Sequence, residues 1–308
     1  TNSSAGGDQL SGPVRMDGSS TVFPISEAVA EEYLAEAPRV RVTVGVSGTG
    51  GGFKKFLNEE IDINAASRPI KDSEFERANE KGIQVLEIPV AFDGLSVVVN
   101  PKNTWVDFLT TGELKRIWEP DSSVTTWKDV RDEWPDEPIR LYGPGTDSGT
   151  FDYFTGTING KEQASRPDFT ASEDDNVLVQ GISGDLYSLG YFGFAYYLEN
   201  QGKLRAVPID GGAGPISPTP QTINEGTYAP LSRPIYIYIN ASTLDKNQVA
   251  DFVSFYLHSA GQLAEEVGYI SLPQESYQLV RARVETRTAG SSYHGETPLP
   301  KLTETLQQ

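Results

Sequence analysis

The spacing of hydrophobic and polar positions changes repeatedly along the chain, and each change marks an element. Residues 40–48, "VRVTVGVSG", place valine at every second position and end in glycine, the pattern of a strand. Just before it, "PISEAVAEEYLAEA" (24–37) brings Ile25, Val29 and Tyr33 onto one helical face. A short helix in "GFKKFLNEE" (52–60), a short strand in "DINAAS" (62–67) and a capped helix in "DSEFERANEKG" (72–82) follow, the last ending at Gly82. Two strands come next, "IQVLEIPVA" (83–91) and "LSVVVN" (95–100). A strand–helix–strand succession of this kind predicts an α/β fold with mainly parallel pairing.

A second unit begins near Asn100. Its pattern predicts a helix carrying Leu109, Leu114, Ile117 and Trp118, and another carrying Trp127, Val130 and Trp134. A strand at "IRLYG" (139–143), a helix after Ser148, a helix at 176–183 and a strand at "YFGFAYY" (191–197) continue it. "RPIYIYIN" (233–240) fills both faces of a strand with apolar or aromatic groups, as a central strand does. Residues 247–270 and 275–287 read as mainly helical. Trp105, Trp118, Trp127 and Trp134 fall in one region and are explained better by packing than by stacking on a sugar or base.

Composition narrows the classes of function. A chain of 308 residues is long enough for two domains of ordinary size. No stretch approaches the roughly 18 apolar residues that a membrane helix needs. Without cysteine there are no disulfides, thiolate metal sites or cysteine nucleophiles. Only His258 and His294 supply imidazoles, which argues against a histidine metal site or catalytic triad, and no cofactor is expected. A net charge of −18 argues against nucleic acid and anionic membrane surfaces as partners. The acidic cluster Glu173, Asp174 and Asp175 precedes a helix and reads as a complement to the helix dipole rather than a metal site.

Against this acidity, four short stretches are rich in hydrogen-bond donors: "DGSSTVFP" (17–24), "GVSGTGGGF" (45–53), "AASRP" (65–69) and "TDSGTF" (146–151). Three of them combine glycine with Ser or Thr at a predicted helix start, where unpaired N–H groups and the helix dipole favour an anion. Taken singly, each is better explained as a routine cap or turn.

The stretches also occur in an order that carries a resemblance. "DGSSTVFPI", "GTGGGFKKF", "IDINAASRPI", "TDSGTFDYF", "SEDDNVLVQGI" and "GYFGFAYY" run in register between about Val14 and Leu272. The chain thereby resembles the phosphate-binding proteins of phosphate-uptake ABC transporters. The resemblance implies a two-lobed, type II periplasmic binding protein fold, with mixed, mainly parallel sheets and a central cleft. It implies one buried inorganic phosphate and no catalysis.

Residues 14–95 and 233–308 would form the first lobe and 96–232 the second. Residues 1–13 would form a flexible tether behind a lipidated cysteine that has been removed. The expected ligands in the first lobe are Ser20, Thr21, Thr49, Ser67 and Arg68, and in the second Ser148, Gly149 and Thr150. The implied partner is the membrane permease of an ABC transporter, met by a monomer on the periplasmic side or at the cell surface.

Two positions depart from the family pattern. Well-known members carry an aspartate where this chain has Ser67, and an arginine just ahead of the second-lobe loop where Pro144 stands. Arg68 is either a surface residue or a replacement for the missing guanidinium, whose planar fork suits two phosphate oxygens. A carboxylate that accepts the proton of phosphate would penalise sulfate, which has none to give. Asp93, in "VAFDGLSV", is the candidate for that role, or else caps a turn before Gly94. Other tetrahedral oxyanions (sulfate, molybdate, arsenate) are alternative ligands. A hydrolase with Ser148 as nucleophile and Asp147 or Asp152 assisting is the rival from another class, lacking a histidine near any motif.

Overall fold

The structure is a computed structural model that describes residues 10–146, 148–172 and 174–291. Residues 1–9 of the expected tether, Asp147, Glu173 and His294 lie outside the described residues. The chain divides into two compact units, one made of residues up to Phe92 together with those from Pro234 on, the other of Asp93–Arg233.

The first unit opens with β1 (Gly12–Gly18), α1 (Phe23–Glu36), β2 (Val40–Val44), α2 (Gly48–Leu57), β3 (Ile63–Ala66) and α3 (Asp72–Glu80). The strand β4 (Val85–Val99) then carries the chain across the boundary between the units. The second unit contains β5 (Leu109–Thr110), α4 (Thr111–Trp118), α5 (Trp127–Val130), β6 (Arg140–Pro144) and α6 (Gly149–Phe154), the last running on into a π-helical turn at Thr155–Asn159. It continues with β7 (Thr170–Ser172), α7 (Asp175–Gly184), β8 (Ser188–Gly193), α8 (Phe194–Glu199), β9 (Arg205–Ala206), β10 (Ile209–Asp210), β11 (Pro215–Ile216) and α9 (Pro220–Asn224). The chain returns through β12 (Ser232–Asn240) and ends its described part with α10 (Asn247–Glu266) and α11 (Gln274–Glu285).

Pairing is mixed. In the first unit β1 lies between β2 and β3, parallel to both, and β12 adds antiparallel to β3. In the second, β6 lies parallel to both β7 and β8, while β4 runs antiparallel to β8. Parallel order therefore holds where helices make the crossovers, and the two boundary-crossing strands run antiparallel to their neighbours β3 and β8.

Several elements differ from their sequence pattern for identifiable reasons. The two strands expected around Asp93 are one, buried along its whole length, so Asp93 caps no turn. An extended path through Asp93 and Gly94 is tolerated because Arg233 pairs with the buried carboxylate. Helix α2 starts at Gly48, four residues ahead of the expected "GFKKF", and its first turn is almost all glycine. The "YFGFAYY" strand stops at Gly193, and "FAYY" opens α8. Leu109 belongs to β5, because Thr110 and Glu113 form a capping box that starts α4 after it. Trp134 lies beyond the single turn of α5 and is buried in the unit's aromatic packing against Trp127.

The second unit's core is built around Trp118, which meets Phe154, Phe169 and Tyr191 edge-on, with Phe154 stacked on Tyr191 at 3.7 Å. This cluster seats the end of α6, so the donor residues at its start rest on a rigid base. In the first unit Tyr238 of β12 donates to the buried Glu87 at 2.8 Å and accepts from Ile70 N–H at 2.9 Å, fixing the chain just after Arg68.

One glycine is required by the route of the first donor loop. Gly18 ends β1 at φ +140°, and a Cβ there would stand 2.1 Å from the Ala65 carbonyl oxygen. Gly18→Ala is expected to destabilise the protein by about 3 kcal/mol through strain plus a backbone clash. An unfolding midpoint in denaturant, compared with that of the unsubstituted chain, checks it.

Candidate anion-binding site

The first unit assembles its donors where β1, β3 and two helix starts meet. After Gly18 the chain turns sharply: Ser19 N–H bonds the Ala65 carbonyl at 3.0 Å, and the Ser19 carbonyl accepts from both Val22 and Phe23 N–H. Ser19 Oγ accepts the Thr21 N–H at 3.2 Å, and the Thr21 carbonyl accepts the Tyr269 hydroxyl at 2.6 Å. Ser20 sits at the tip of this turn, and neither its N–H nor its hydroxyl has a partner among the described residues. Helix α1 starts behind it with no side-chain cap.

Helix α2 likewise starts uncapped. Its N-cap residue, Ser47, is the type that ordinarily accepts an N–H of the first turn. Here its hydroxyl donates instead to Asp17 Oδ1 at 2.5 Å, and Lys55 holds Asp17 Oδ2 at 2.6 Å. Burial pushes the Asp17 carboxyl up, but the bonds from Lys55 and Ser47 outweigh it and hold it below its ordinary value. Drawing the cap away leaves the glycine-rich first turn of α2 with unpaired N–H groups, a dipole-assisted place for negative charge. Thr49 in that turn is 3.1 Å from Ser67, hydroxyl to hydroxyl, and Thr49 Oγ1 also accepts the Ser67 N–H at 3.1 Å. Thr49 and Ser67 are thus brought together.

Arg68 is differently engaged from what its position in the motif predicts. Its Nη1 and Nη2 each donate to a Glu74 carboxylate oxygen at 2.9 Å, Nη1 also donates to the Pro69 carbonyl, and the guanidinium lies 5.3 Å from the Phe53 ring centre. The end-on fork is committed to Glu74, leaving only the Nε edge available. The expectation that Arg68 stands in for the missing guanidinium is corrected to that extent.

In the second unit Ser148 caps α6, its Oγ accepting the Thr150 N–H at 3.2 Å. Ser148 N–H bonds the Gly145 carbonyl, and Gly145 N–H bonds Ser172 of the adjoining strand, which pins the loop to the sheet. The Gly149 N–H and the Thr150 hydroxyl have no partner among the described residues. A capping Ser148 is oriented as an acceptor toward the helix, which is not the placement of a base-activated nucleophile.

The guanidinium that sequence reasoning missed is Arg233. It donates from Nε and Nη2 to Asp93 Oδ2 at 3.4 and 3.3 Å and stacks 3.6 Å over the ring of Tyr153, a residue of α6. Tyr153 is fixed in turn by donating to the Pro230 carbonyl at 2.8 Å. Asp93 is only 5% exposed; burial raises its carboxyl above the ordinary range, and the Arg233 charge opposes that without cancelling it. Asp152, in the first turn of α6, is also raised by burial, and its Oδ1 is buried without a partner among the described residues. The one clue to Arg233 in the sequence was an arginine opening an otherwise apolar strand.

Away from these loops, His258 is exposed and bonded through Nδ1 to the Ser254 carbonyl, and no group of acidic and histidine side chains among the described residues is arranged to hold a metal.

The Arg68–Glu74 pair makes a pH-dependent contribution. Burial alone would raise Glu74, but hydrogen bonds from Arg68 and the Lys71 N–H prevail and hold it below its ordinary 4.5. Its stabilisation is therefore complete above that value and is lost as pH falls through the depressed one. Glu74→Gln is expected to lower the melting temperature at pH 7 and to flatten its decline in this acid range, as read by calorimetric scans across pH.

Comparison with known proteins identifies the family. A family model described as a PBP superfamily domain matches residues 3–260. Protein SphX of Synechococcus elongatus is 50% identical over 287 residues, covering 92% of this chain and 85% of that protein. The phosphate-binding protein PstS of Staphylococcus saprophyticus is 41% identical over 270 residues, covering 86% of this chain and 82% of that one. Among solved structures, the crystal structure of a possible phosphate binding protein from Planctomyces limnophilus matches with a TM-score of 0.88 at 51% identity, over 90% of this chain and 99% of that one.

Proposed function

Because the chain belongs to the PBP superfamily, as a phosphate-binding protein of the PstS type, we propose that it captures a single inorganic phosphate and hands it to the membrane permease of an ABC importer. It is a solute-binding protein and not an enzyme.

The observation that carries the reading is the pair of donor clusters. One is the uncapped first turn of α2, with Thr49, Ser67 and the Ser20–Thr21 turn; the other is Ser148, Gly149 and Thr150 at the start of α6. The motifs that build these clusters follow one another in the order shared with the family. In this reading Asp93 accepts the proton that phosphate carries near neutral pH, and Arg233 takes the guanidinium's part that Pro144 leaves open. Arg68 contributes at most its Nε edge. The low exposure of Asp93 supports its assignment, since a carboxylate held away from water discriminates by penalising a guest without a proton.

The overall charge of −18 does not oppose such a ligand, because short-range N–H donors act within a Debye length of about 8 Å while distant carboxylates are screened. We place the protein outside the cytoplasmic membrane, acting as a monomer. No helix among the described residues is long and apolar enough to cross a membrane. Arsenate, of nearly the same size and protonation as phosphate, remains a competing guest, whereas sulfate and molybdate are disfavoured by Asp93.

Calorimetric titration with phosphate is expected to give one-to-one heat, and Thr49→Ala and Ser148→Ala each to weaken binding by about tenfold, the loss of one charge-assisted hydrogen bond. Asp93→Asn is expected to reduce the preference for phosphate over sulfate by at least about tenfold. No heat from phosphate would refute the assignment, as would turnover of a chromogenic phosphate ester at the same site. An unchanged preference in the Asp93 variant would remove that residue from it.

A further inference from the structure

Asn64 is the most deeply buried polar side chain beside the first-unit donors, with no exposure at all, and among the described residues neither its Oδ1 nor its Nδ2 has a hydrogen-bond partner. It lies mid-strand in β3, paired in register with Asp17 of β1 on one side and Tyr238 of β12 on the other. Its amide points at two glycines. A Cβ on Gly52 would fall 2.0 Å from Asn64 Oδ1, and one on Gly18 would fall 2.8 Å from the same oxygen. The two glycines are themselves in contact, since the Gly52 Cβ position is only 2.7 Å from Gly18 Cα. The amide therefore fills the space left by two absent side chains, at the point where the end of β1, the first turns of α2 and the centre of β3 converge.

Stability does not explain an amide there. A buried, unpaired amide is unfavourable, and an apolar side chain of the same shape is neutral or better in such a place. Leucine has the same branching as asparagine and no polar atoms to strand. What an amide adds is a polar oxygen at the Cα–H groups of Gly18 and Gly52, contacts of the kind that let backbone segments approach closely. Both segments bear donors: Gly18 precedes the Ser19–Thr21 turn, and Gly52 lies one helical turn after Thr49.

We propose that Asn64 is a positioning residue of the anion site, setting how closely the uncapped start of α2 approaches the Ser19–Thr21 turn. The proposal rests on the phosphate-binding reading and deepens it. Asn64 need not touch the guest. It fixes the spacing between donors that do, and that spacing decides how well the site separates phosphate from arsenate, whose bonds to oxygen are longer. A site whose supporting residues are loosened by even a fraction of an ångström keeps its parts and loses discrimination.

The test compares the unsubstituted protein with Asn64→Leu and Asn64→Ala by calorimetry with phosphate and with arsenate, alongside thermal midpoints. Asn64→Leu is expected to keep or raise the midpoint while weakening phosphate about fivefold or more and lowering the phosphate-to-arsenate affinity ratio about threefold. Asn64→Ala is expected to show the same loss of ratio with a lowered midpoint. A merely structural role would move the midpoint and leave the ratio alone, and wild-type affinity and ratio in Asn64→Leu would overturn the proposal. If neither variant folds, the Asn64 side-chain NH2 resonances of the unsubstituted protein decide the matter. They are expected to shift on adding phosphate, and unshifted resonances at saturation would overturn it. Absence of phosphate heat from the unsubstituted protein overturns this inference together with the function it rests on, whereas phosphate heat with an indifferent Asn64→Leu overturns this inference alone.

Discussion

A dianion leaves water only where enough donors await it, and the first unit supplies them by a single diversion of a hydrogen bond. Ser47 stands where a helix cap should be, yet its hydroxyl donates to Asp17, which Lys55 holds in place. The first turn of α2 is left with its N–H groups unspent, in a run of glycines that adds no side chain to shield them. Nearly everything else around the loop follows from keeping that turn in place: the positive φ of Gly18, the contact between Thr49 and Ser67, and the close approach of Gly52 to β1. A capped α2 would be a better helix and a poorer anion site.

The same logic governs charge. Three acidic side chains around the donor loops are paired with cations. Asp17 is neutralised by Lys55, Glu74 by Arg68 and Asp93 by Arg233. What an incoming anion meets is the local field of amides and hydroxyls, and the large net negative charge is spread over a surface that salt screens. The Asp93–Arg233 pair differs from the others in its long contacts, 3.3 and 3.4 Å against 2.6 to 2.9 Å elsewhere in these pairs. A carboxylate raised by burial and held loosely is suited to exchanging part of its partner's attention with a protonated guest.

How much of this was legible beforehand depended on whether the determining interaction was local. Periodicity located β2, α1, α3 and the long C-terminal helices, because each buries one face of a regular pattern. It failed at "FAYY", whose aromatics suit a strand but follow a glycine at the end of β8. It failed also at Asp93–Gly94, where the sequence carries turn chemistry and the chain stays extended, because the neutralising charge comes from Arg233, 140 positions away. The donor residues were legible as types, since glycine with hydroxyls at a helix start is a local signature. Which of them is spent on its own unit was not. The commitment of Arg68 to Glu74 depends on how α3 starts and on the Tyr238 anchor behind it, neither of which the motif contains.

Asn64 shows the limit of reading a site from its donors alone. In the sequence it is one polar residue within a buried strand, and nothing about "DINAAS" distinguishes it from a tolerated irregularity. Its meaning comes from the absence of side chains at Gly18 and Gly52, which are far from it along the chain and against it in space. The three positions constrain one another: enlarging either glycine strikes the amide, and the two glycines already meet. A binding loop that must hold sub-ångström spacing without a cap needs some such interlock beneath it, and in the first unit Gly52 of α2 meets Gly18 of β1 over Asn64 of β3.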